Sequence, residues 1–251
     1  MRISIITINY NNRQGLQKTI DSVLQQSFRD YEWIVIDGGS QDGSRQLIEE
    51  NKSHFAYCVS EPDKGIYNAM NKGLYHAKGD YVFFLNSGDV IAANDVLAQV
   101  LPCLTTDIVV GYVKSHGQIA GLRHADFSVA DLYNYSFPHQ ASFIRQDLFT
   151  RFGVYDEQWR IVADWAFFID AIVFGRTEVS FIPLNVSEIQ DDGLSSDTVN
   201  RNAEAQRLRE QKFGPLWQND LQNALSLKEV LSHPFTKHLY ALIYRLRTLL
   251  K

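Results

Sequence analysis

The first ninety residues alternate short apolar runs with segments of helical spacing, and this alternation restricts the fold more than any other feature of the chain. Apolar runs of strand length, rich in β-branched residues, occur at 3–8, 33–36, 55–59 and 81–85. Apolar residues at helical spacing fill the intervals, for example Leu16, Ile20 and Val23 in the first and Met70 and Leu74 in the third. A βαβαβαβ order predicts an α/β fold with a mostly parallel central sheet flanked by helices.

The second half of the chain is less regular. We expect strands at 108–113 and 141–144, a buried helix over 165–174 and a polar helix over 201–212. A Gly-Pro pair at 214–215 is the weakest point of the pattern. We therefore predict one catalytic domain over residues 1–214 and a C-terminal helical tail over 215–251.

The charge balance restricts the partners of the chain. A formal net charge of -5 gives no basic surface for nucleic acid, so no nucleic-acid partner is expected. The N-terminus lacks the pattern of a secretory signal, and no apolar run approaches the ~20 residues of a membrane span. The expected compartment is the cytoplasm.

Polar clusters follow three of the four predicted N-terminal strands, at 9–12, 37–40 and 86–89. In open α/β sheets, ligands bind at the carboxyl ends of the strands, so a site is predicted there. The chain has neither a G-x-G-x-x-G turn after its first strand nor a P-loop motif. A bound diphosphate would then need a divalent cation held by carboxylates, such as Mg²⁺ or Mn²⁺.

Four ordered motifs resemble those of the family 2 inverting glycosyltransferases. They are SIITINYN at 4–11, VIDGGSQDG at 35–43, SEPDKGIYNAMNKG at 60–73 and GDYVFFLNSGD at 79–89. The segments HQASFIR at 139–145 and ADW at 163–165 are similar to two further family segments. The resemblance implies a single nucleotide-sugar-binding domain of the A type. It also implies transfer from a nucleotide-diphosphate sugar with inversion at the anomeric carbon.

The resemblance also implies roles for individual residues. Tyr10 should stack near the base of the nucleotide, and Asp37 should contact the nucleoside. Asp89 falls on the metal-binding aspartate, and Asp164 falls on the catalytic base. Without the resemblance, Asp164 at the start of an apolar helix is better explained as a helix cap.

The chain departs from the family pattern at two positions. The family often has a second aspartate where this chain has Gly38, so recognition of the base is expected to differ. Its D-x-D element appears here as Asn86-Ser87-Gly88, which leaves Asp89 as the only carboxylate of the segment. A neutral Asn86 is expected to weaken metal binding or to leave more of it to the diphosphate oxygens.

Five further residues are candidate donor ligands, and four of them have a competing structural explanation. Asp63 and Lys64 are expected at the ribose or phosphate, or in a solvated turn. Asn71 is expected at the nucleotide or on the loop backbone, and His139 at the diphosphate or acceptor or in a structural hydrogen bond. Ser87 is included as part of the segment that ends at Asp89. A loop at 192–195 is interpreted as a cover over the donor or as a surface turn.

The tail has a signal of its own. From residue 231 to 251 there is no acidic residue, and Leu239, Leu242 and Leu246 lie on one helical stripe with Arg245 and Lys251 elsewhere. This pattern predicts either a helix at an anionic membrane surface or a helix packed on the domain.

The leading interpretation is a metal-dependent glycosyltransferase of the hexosyl or acetamidohexosyl type. Its acceptor would be a saccharide or lipid-linked saccharide in bacterial surface polysaccharide biosynthesis. The alternatives are a non-catalytic nucleotide-sugar-binding subunit and a Rossmann-type oxidoreductase. The missing glycine fingerprint disfavours the oxidoreductase.

Overall fold

A computed structural model describes residues 2–115, 117–120, 127–189 and 197–232. Its strands are β1 Ile3–Asn9, β2 Tyr31–Asp37, β3 Tyr57–Ser60, β4 Tyr81–Phe84, β5 Val90–Ile91, β6 Ile108–Ser115, β7 Gln118–Ala120, β8 Ser142–Arg145 and β9 Val179–Glu188. Its α-helices are α1 Arg13–Leu24, α2 Ser44–Glu50, α3 Ile66–His76, α4 Val96–Val100, α5 Val129–Asn134, α6 Gln146–Arg151, α7 Ala163–Phe168, α8 Thr198–Lys212 and α9 Pro215–Ser232. The α7 helix continues as a π-helical segment, Ile169–Phe174.

The described strands form one nine-stranded sheet. Its order is β3-β2-β1-β4-β8-β6-β9-β5, with β7 added beside β6. The first four strands of the sequence are neighbours in the sheet, in the order β3, β2, β1 and β4. All of them are parallel, as the alternating pattern predicted. The second half joins this sheet through the antiparallel β8, so the chain forms a single mixed sheet with helices on both faces.

The apolar side chains of β1 point alternately to two cores. Ile6 and Ile8 lie in one core with α3, α5, α7 and α8, whereas Ile3 and Ile5 lie in the other with α1, α2 and α4. A strand that is buried on both faces needs apolar residues at nearly every position, which explains the continuous apolar run at 3–8. The polar residues of this sheet therefore accumulate where the strands end.

The predicted elements of the first half are confirmed, with small shifts at their ends. The third strand begins at Tyr57 rather than at residue 55, because Lys52–His54 forms a 3-10 turn first. The second half contains elements that the sequence analysis did not identify, mainly β9, β5, α5 and α6. The burial of β9 is irregular, so it has no clean two-residue alternation to detect.

The helical tail is described only as far as Ser232. In that part, Leu221 and Leu225 of α9 pack against the core, and Lys228 forms an ion pair of 2.7 Å with Asp131 of α5. The start of the tail is therefore docked on the domain. The stripe of leucines from 239 onward and the loop at 192–195 lie outside the described residues. Among the helices that are described, none is long and apolar enough to span a membrane.

Candidate active site

The carboxyl ends of three parallel strands form a row of polar side chains. Asn9 at the end of β1 is paired with Asp37 at the end of β2, and Asp37 is paired with Ser60 at the end of β3. The backbone N–H of Ser87 donates to the carbonyl of Ile8 (3.0 Å), which brings the segment after β4 to the same edge. Three of the polar clusters in the sequence therefore meet at one edge, as predicted.

The carboxylate of Asp37 is the centre of this row. It accepts hydrogen bonds from Asn9 Nδ2 (2.6 Å), from the hydroxyl (2.5 Å) and backbone N–H (2.9 Å) of Ser40, and from the Ser60 hydroxyl (2.6 Å). Burial alone would raise its pKa, but the hydrogen bonds from Ser40, Ser60 and Asn9 outweigh burial and lower the pKa of Asp37. Because Asp37 is fully buried, its direct contact with a nucleoside stays a prediction.

This arrangement makes Asp37 a structural residue whatever it binds. We expect Asp37→Asn to lower the free energy of unfolding at neutral pH by about 1–3 kcal/mol, because an amide nitrogen would face groups that now donate to a carboxylate. The folded-state pKa lies below the unfolded value of about 3.9, so the stabilisation is fully present above that pH and is lost as the pH falls through the folded-state pKa. Urea unfolding of both proteins over a pH series should show a shallower acid loss for the variant. Parallel curves would contradict this assignment.

The space beside Gly38 is occupied by the Asp63 side chain. A Cβ at Gly38 would lie 2.4 Å from Asp63 Oδ2 and 3.1 Å from Tyr10 Cδ2, too close for the first atom. Asp63 is held there because its Oδ1 accepts a hydrogen bond from the Gly65 N–H (2.8 Å). The second carboxylate at this edge therefore comes from the loop after β3 instead of from position 38. Tyr10 is 67% exposed and Lys64 is exposed, so both are accessible to a ligand.

The turn after β4 is fastened to α1 by Thr19 and to the N-cap of α1 by Asn12. Thr19 Oγ1 donates to the carbonyl of Asp89 (2.7 Å) and accepts from the N–H of Gly88 (3.0 Å), whose φ is +103°. The carbonyl of Ser87 accepts a hydrogen bond from Asn12 Nδ2 (3.1 Å). Asp89 is buried at 5% exposure. The turn is thus rigid, and Thr19 is a supporting residue that the sequence analysis missed although it interrupts the apolar stripe of α1.

The donor atoms of this turn fit a hard cation. Asp89 supplies a carboxylate, and Asn86 Oδ1 is buried without a hydrogen-bond partner among the described residues. Carboxylate and amide oxygens are ligands that Mg²⁺ and Mn²⁺ accept. The described ranges contain no group of three or more His, Cys, Asp or Glu residues that could hold a metal by themselves. A metal here would therefore take its other ligands from a bound diphosphate and from water, as Mg²⁺ commonly does.

His139 joins this turn to the predicted base. Its Nε2 lies 3.2 Å from Asn86 Nδ2, and its Nδ1 lies 3.1 Å from Asp164 Oδ2. The exposed fractions of the His139 and Asp164 side chains are only 17% and 11%. The sequence predicted His139 and Asp164 separately, and the structure brings them into direct contact.

The other oxygen of Asp164 is held by the protein. Oδ1 accepts hydrogen bonds from the backbone N–H of Trp165 (2.9 Å) and lies 2.9 Å from the Tyr67 hydroxyl. That hydroxyl also lies 2.7 Å from the carbonyl of Ile161. The pKa of Tyr67 is raised well above its ordinary value, by burial first and then by the nearby charge of Asp164, so Tyr67 stays protonated and donates. Oδ2 is therefore the oxygen with capacity for a further proton.

The side chain of Asn71 makes its hydrogen bonds with the segment before α7. Its Nδ2 donates to the carbonyl of Tyr155 (2.8 Å) and to Glu157 Oε1 (2.9 Å), and its Oδ1 accepts from the N–H of Tyr155 (3.0 Å). These contacts tie α3 to the segment before α7. A contact between Asn71 and a nucleotide stays a prediction.

Residues 4–154 match the model of a protein family described as Glycosyl transferase family 2. This chain belongs to that family. The match confirms the resemblance drawn from the four motifs and assigns the protein to glycosyl transfer rather than to hydride transfer. It ends before Asp164, so the role of Asp164 depends on the geometry described above.

Curated relatives of this family 2 glycosyltransferase agree. A glycosyltransferase of Mycobacterium tuberculosis is 39% identical over 178 residues, covering 67% of this chain and 68% of the relative. A PGL/p-HBAD biosynthesis glycosyltransferase of Mycobacterium bovis is 28% identical over 206 residues, covering 78% and 79%.

Solved structures confirm the expected A-type glycosyltransferase fold. TarS 1–349 of S. aureus in complex with UDP-GlcNAc has a TM-score of 0.68 at 18% identity, over 84% of this chain and 66% of that chain. The mannosyltransferase PcManGT of Pyrobaculum calidifontis in complex with GDP-Man and Mn²⁺ has a TM-score of 0.62 at 19% identity, over 97% and 79%. This chain thus spans about two thirds of the solved TarS fragment.

Proposed function

We propose that this protein is an inverting glycosyltransferase that uses a nucleotide-diphosphate sugar and Mg²⁺ or Mn²⁺. The observation that carries the proposal is the contact of His139 with both Asp164 and Asn86, because it connects a candidate base to the turn that contains Asp89. Direct displacement needs a base and a site for the leaving group on different segments, and these residues provide both. The alternative of a non-catalytic subunit is disfavoured because the chain has both Asp89 and Asp164.

The chemistry assigned to the protein is a single displacement. Asp164 Oδ2 takes the proton of the acceptor hydroxyl as the acceptor oxygen forms a bond to the anomeric carbon. The bond from that carbon to the diphosphate oxygen breaks on the opposite face, which inverts the configuration. A metal held by Asp89 would neutralise charge on the departing diphosphate. Tyr67 and Trp165 hold Asp164 in place during the transfer.

Two features of the strand edge support a nucleotide-sugar donor. Tyr10 and Asp63 lie beside Gly38 at this edge, and the exposed Lys64 follows Asp63 in the chain. They offer an aromatic ring for the base, an acceptor for the ribose and a cation for the phosphate. Asn9 Oδ1 is a second buried amide oxygen without a partner in the described part of the chain, which a ligand donor would satisfy. The complexes of TarS with UDP-GlcNAc and of PcManGT with GDP-Man support a hexose or acetamidohexose as the transferred sugar.

For the acceptor we propose a saccharide or lipid-linked saccharide of surface polysaccharide biosynthesis, with the tail after residue 233 at the inner face of the membrane. The biosynthetic name of the M. bovis relative and the basic, acid-free tail support this. Sedimentation with anionic liposomes tests the membrane part. Equal binding by the full chain and by a chain ending at residue 233 would contradict it.

A thermal-shift panel of nucleotide sugars, with and without Mn²⁺, tests the proposed donor. A donor that binds the folded state raises the melting temperature by mass action, and its nucleoside diphosphate should do so too. We expect both shifts to increase with Mn²⁺. A panel without any Mn²⁺-dependent shift would contradict a metal-assisted nucleotide-sugar site.

A further inference from the structure

The groups at the two ends of the His139 contacts determine the direction of both hydrogen bonds. An ionised Asp164 carboxylate only accepts, so His139 Nδ1 must carry a proton and donate to Oδ2. A neutral imidazole then has a lone pair on Nε2, and the group facing that lone pair is the amide Nδ2 of Asn86, which donates. Asn86, His139 and Asp164 therefore form one directed chain with a single histidine tautomer.

We propose that Asn86 and His139 are positioning residues for the base: Asn86 donates to Nε2 and so supports the Nδ1–H tautomer of His139 that the Asp164 carboxylate requires, and His139 holds Asp164 Oδ2 toward the acceptor. The proposal rests on the proposed function, because it concerns the base of that reaction. It also assigns the base to Asp164 rather than to His139, since Nε2 is already occupied by Asn86. Restricted orientation of a reacting group is worth large rate factors.

The hydrogen bonds that join Asn86, His139 and Asp164 also give a reason for asparagine at position 86. A carboxylate there would only accept, so a neutral His139 would have to carry its proton on Nε2 to donate to it, and only a cationic imidazolium could donate to both carboxylates. A neutral His139 would then turn an unprotonated Nδ1 toward Asp164 Oδ2, and two lone pairs would face each other. One neutral imidazole can donate to only one of two carboxylates. Asparagine at position 86 therefore fits the direction of the hydrogen bonds from Asn86 through His139 to Asp164. This role is separate from metal binding.

Burial makes the direction of these bonds matter. With side-chain exposures of 17% and 11%, His139 and Asp164 have little water to replace a lost hydrogen bond. Asp164 is also held by the Trp165 backbone N–H, which donates to its Oδ1 (2.9 Å). Turning the Asp164 side chain outward would break that hydrogen bond as well as the contact with His139.

Two variants of His139 separate the two hydrogen bonds. In His139→Asn the amide nitrogen occupies the place of Nδ1, so the bond to Asp164 is kept and the bond to Asn86 is lost. In His139→Gln the amide reaches the place of Nε2, so the bond to Asn86 is kept and the bond to Asp164 is lost. We expect His139→Gln to lower kcat by about 10²-fold with little change in the KM for the donor. His139→Asn should recover at least about tenfold of that loss.

Nitrogen-15 NMR of the histidine side chains reads the tautomer without using activity. The signal of His139, one of seven histidines, is assigned by its absence in His139→Asn. We expect the Nδ1–H tautomer in the parent protein. In Asp164→Asn the side-chain oxygen should stay on the Trp165 N–H, so the amide nitrogen would face His139. The tautomer should then change to Nε2–H, with the Asn86 amide turned so that its Oδ1 accepts from Nε2–H. The exposed His54→Gln variant serves as a control, with the parent rate and an unchanged His139 signal.

The outcomes separate this inference from the proposed function. The inference is overturned if parent His139 carries its proton on Nε2, or if the asparagine and glutamine variants transfer sugar equally fast. It is supported by the Nδ1–H tautomer together with a faster asparagine variant. A parent protein that binds donor without transferring sugar would contradict the proposed function and the positioning role together. In that case the NMR spectra would still decide the direction of the two hydrogen bonds made by His139.

Discussion

Replacing Asp164 with asparagine is expected to lower the rate of sugar transfer by about 10²–10⁴-fold, the usual contribution of a general base. Asparagine has nearly the same shape but no oxygen that takes up a proton at neutral pH. Its amide oxygen can still accept from the Trp165 N–H and the Tyr67 hydroxyl, so the local structure should survive. Donor affinity in the presence of Mn²⁺ should stay near the parent value because Asp89 is unchanged. Initial transfer rates and donor affinities by calorimetry are measured in parallel.

Asp170→Asn is a matched control for this experiment. Asp170 lies in the π-helical continuation of α7 and pairs with Lys212 (2.6 Å) at the surface side of the helix. Loss of a partly exposed ion pair costs about 0–1 kcal/mol, so this variant should transfer sugar at the parent rate. If Asp164→Asn also keeps the parent rate, Asp164 is only a residue at the start of a helix and the base lies elsewhere.

The parallel half of the fold was accessible from the sequence because burial on two faces leaves a strong pattern. Strands such as β1 must be apolar throughout, and the polar residues that follow them then stand out. The second half is built from short or irregularly buried elements. β5 has two residues and α5 has six, which is too short for any periodicity to appear.

The candidate site was predictable where a residue belongs to a motif, and less so where its role depends on a partner far away in sequence. Tyr67 lies 97 residues before Asp164, and its hydroxyl is on the buried face of α3 among apolar residues. The only sequence signal for it is a tyrosine in a stripe otherwise occupied by Met70 and Leu74. Tertiary contacts of this kind are not visible in local spacing.

The two departures from the family pattern have different physical explanations. At Gly38 the Asp63 carboxylate occupies the space where a side chain would begin, so an added side chain would require Asp63 to move. At Asn86 the reason that we infer is hydrogen-bond direction, since its amide nitrogen faces His139 Nε2. A neutral Asn86 is expected to weaken metal binding or to leave more of it to the diphosphate oxygens, and this stays a prediction. Both substitutions are explained by neighbours that come from other segments of the chain.

Replacing Asp89 should have the second large effect, on donor binding as well as on turnover. Asp89 is the carboxylate of the turn after β4, and no other acid lies in the segment 86–89. Metal stabilisation of a departing diphosphate is worth several kcal/mol, which corresponds to a rate loss of about 10²-fold or more. Asp89→Ala should therefore lose both turnover and the part of donor affinity that depends on Mn²⁺. Asp164→Asn should lose turnover alone, so the pair of variants separates the two roles.

Because Asp89 is buried, alanine also removes packing, and Asp89→Asn is the variant that keeps its shape. Asp95→Ala changes an exposed acid at the start of α4, six residues further along the chain, and should behave like the parent. Calorimetry of donor binding with and without Mn²⁺, at matched thermal stability, gives the decisive comparison. If Asp89→Asn keeps the full Mn²⁺-dependent gain in donor affinity, the metal is held by other groups. In that case the carboxylate of Asp89 only supports the turn that Thr19 fastens to α1.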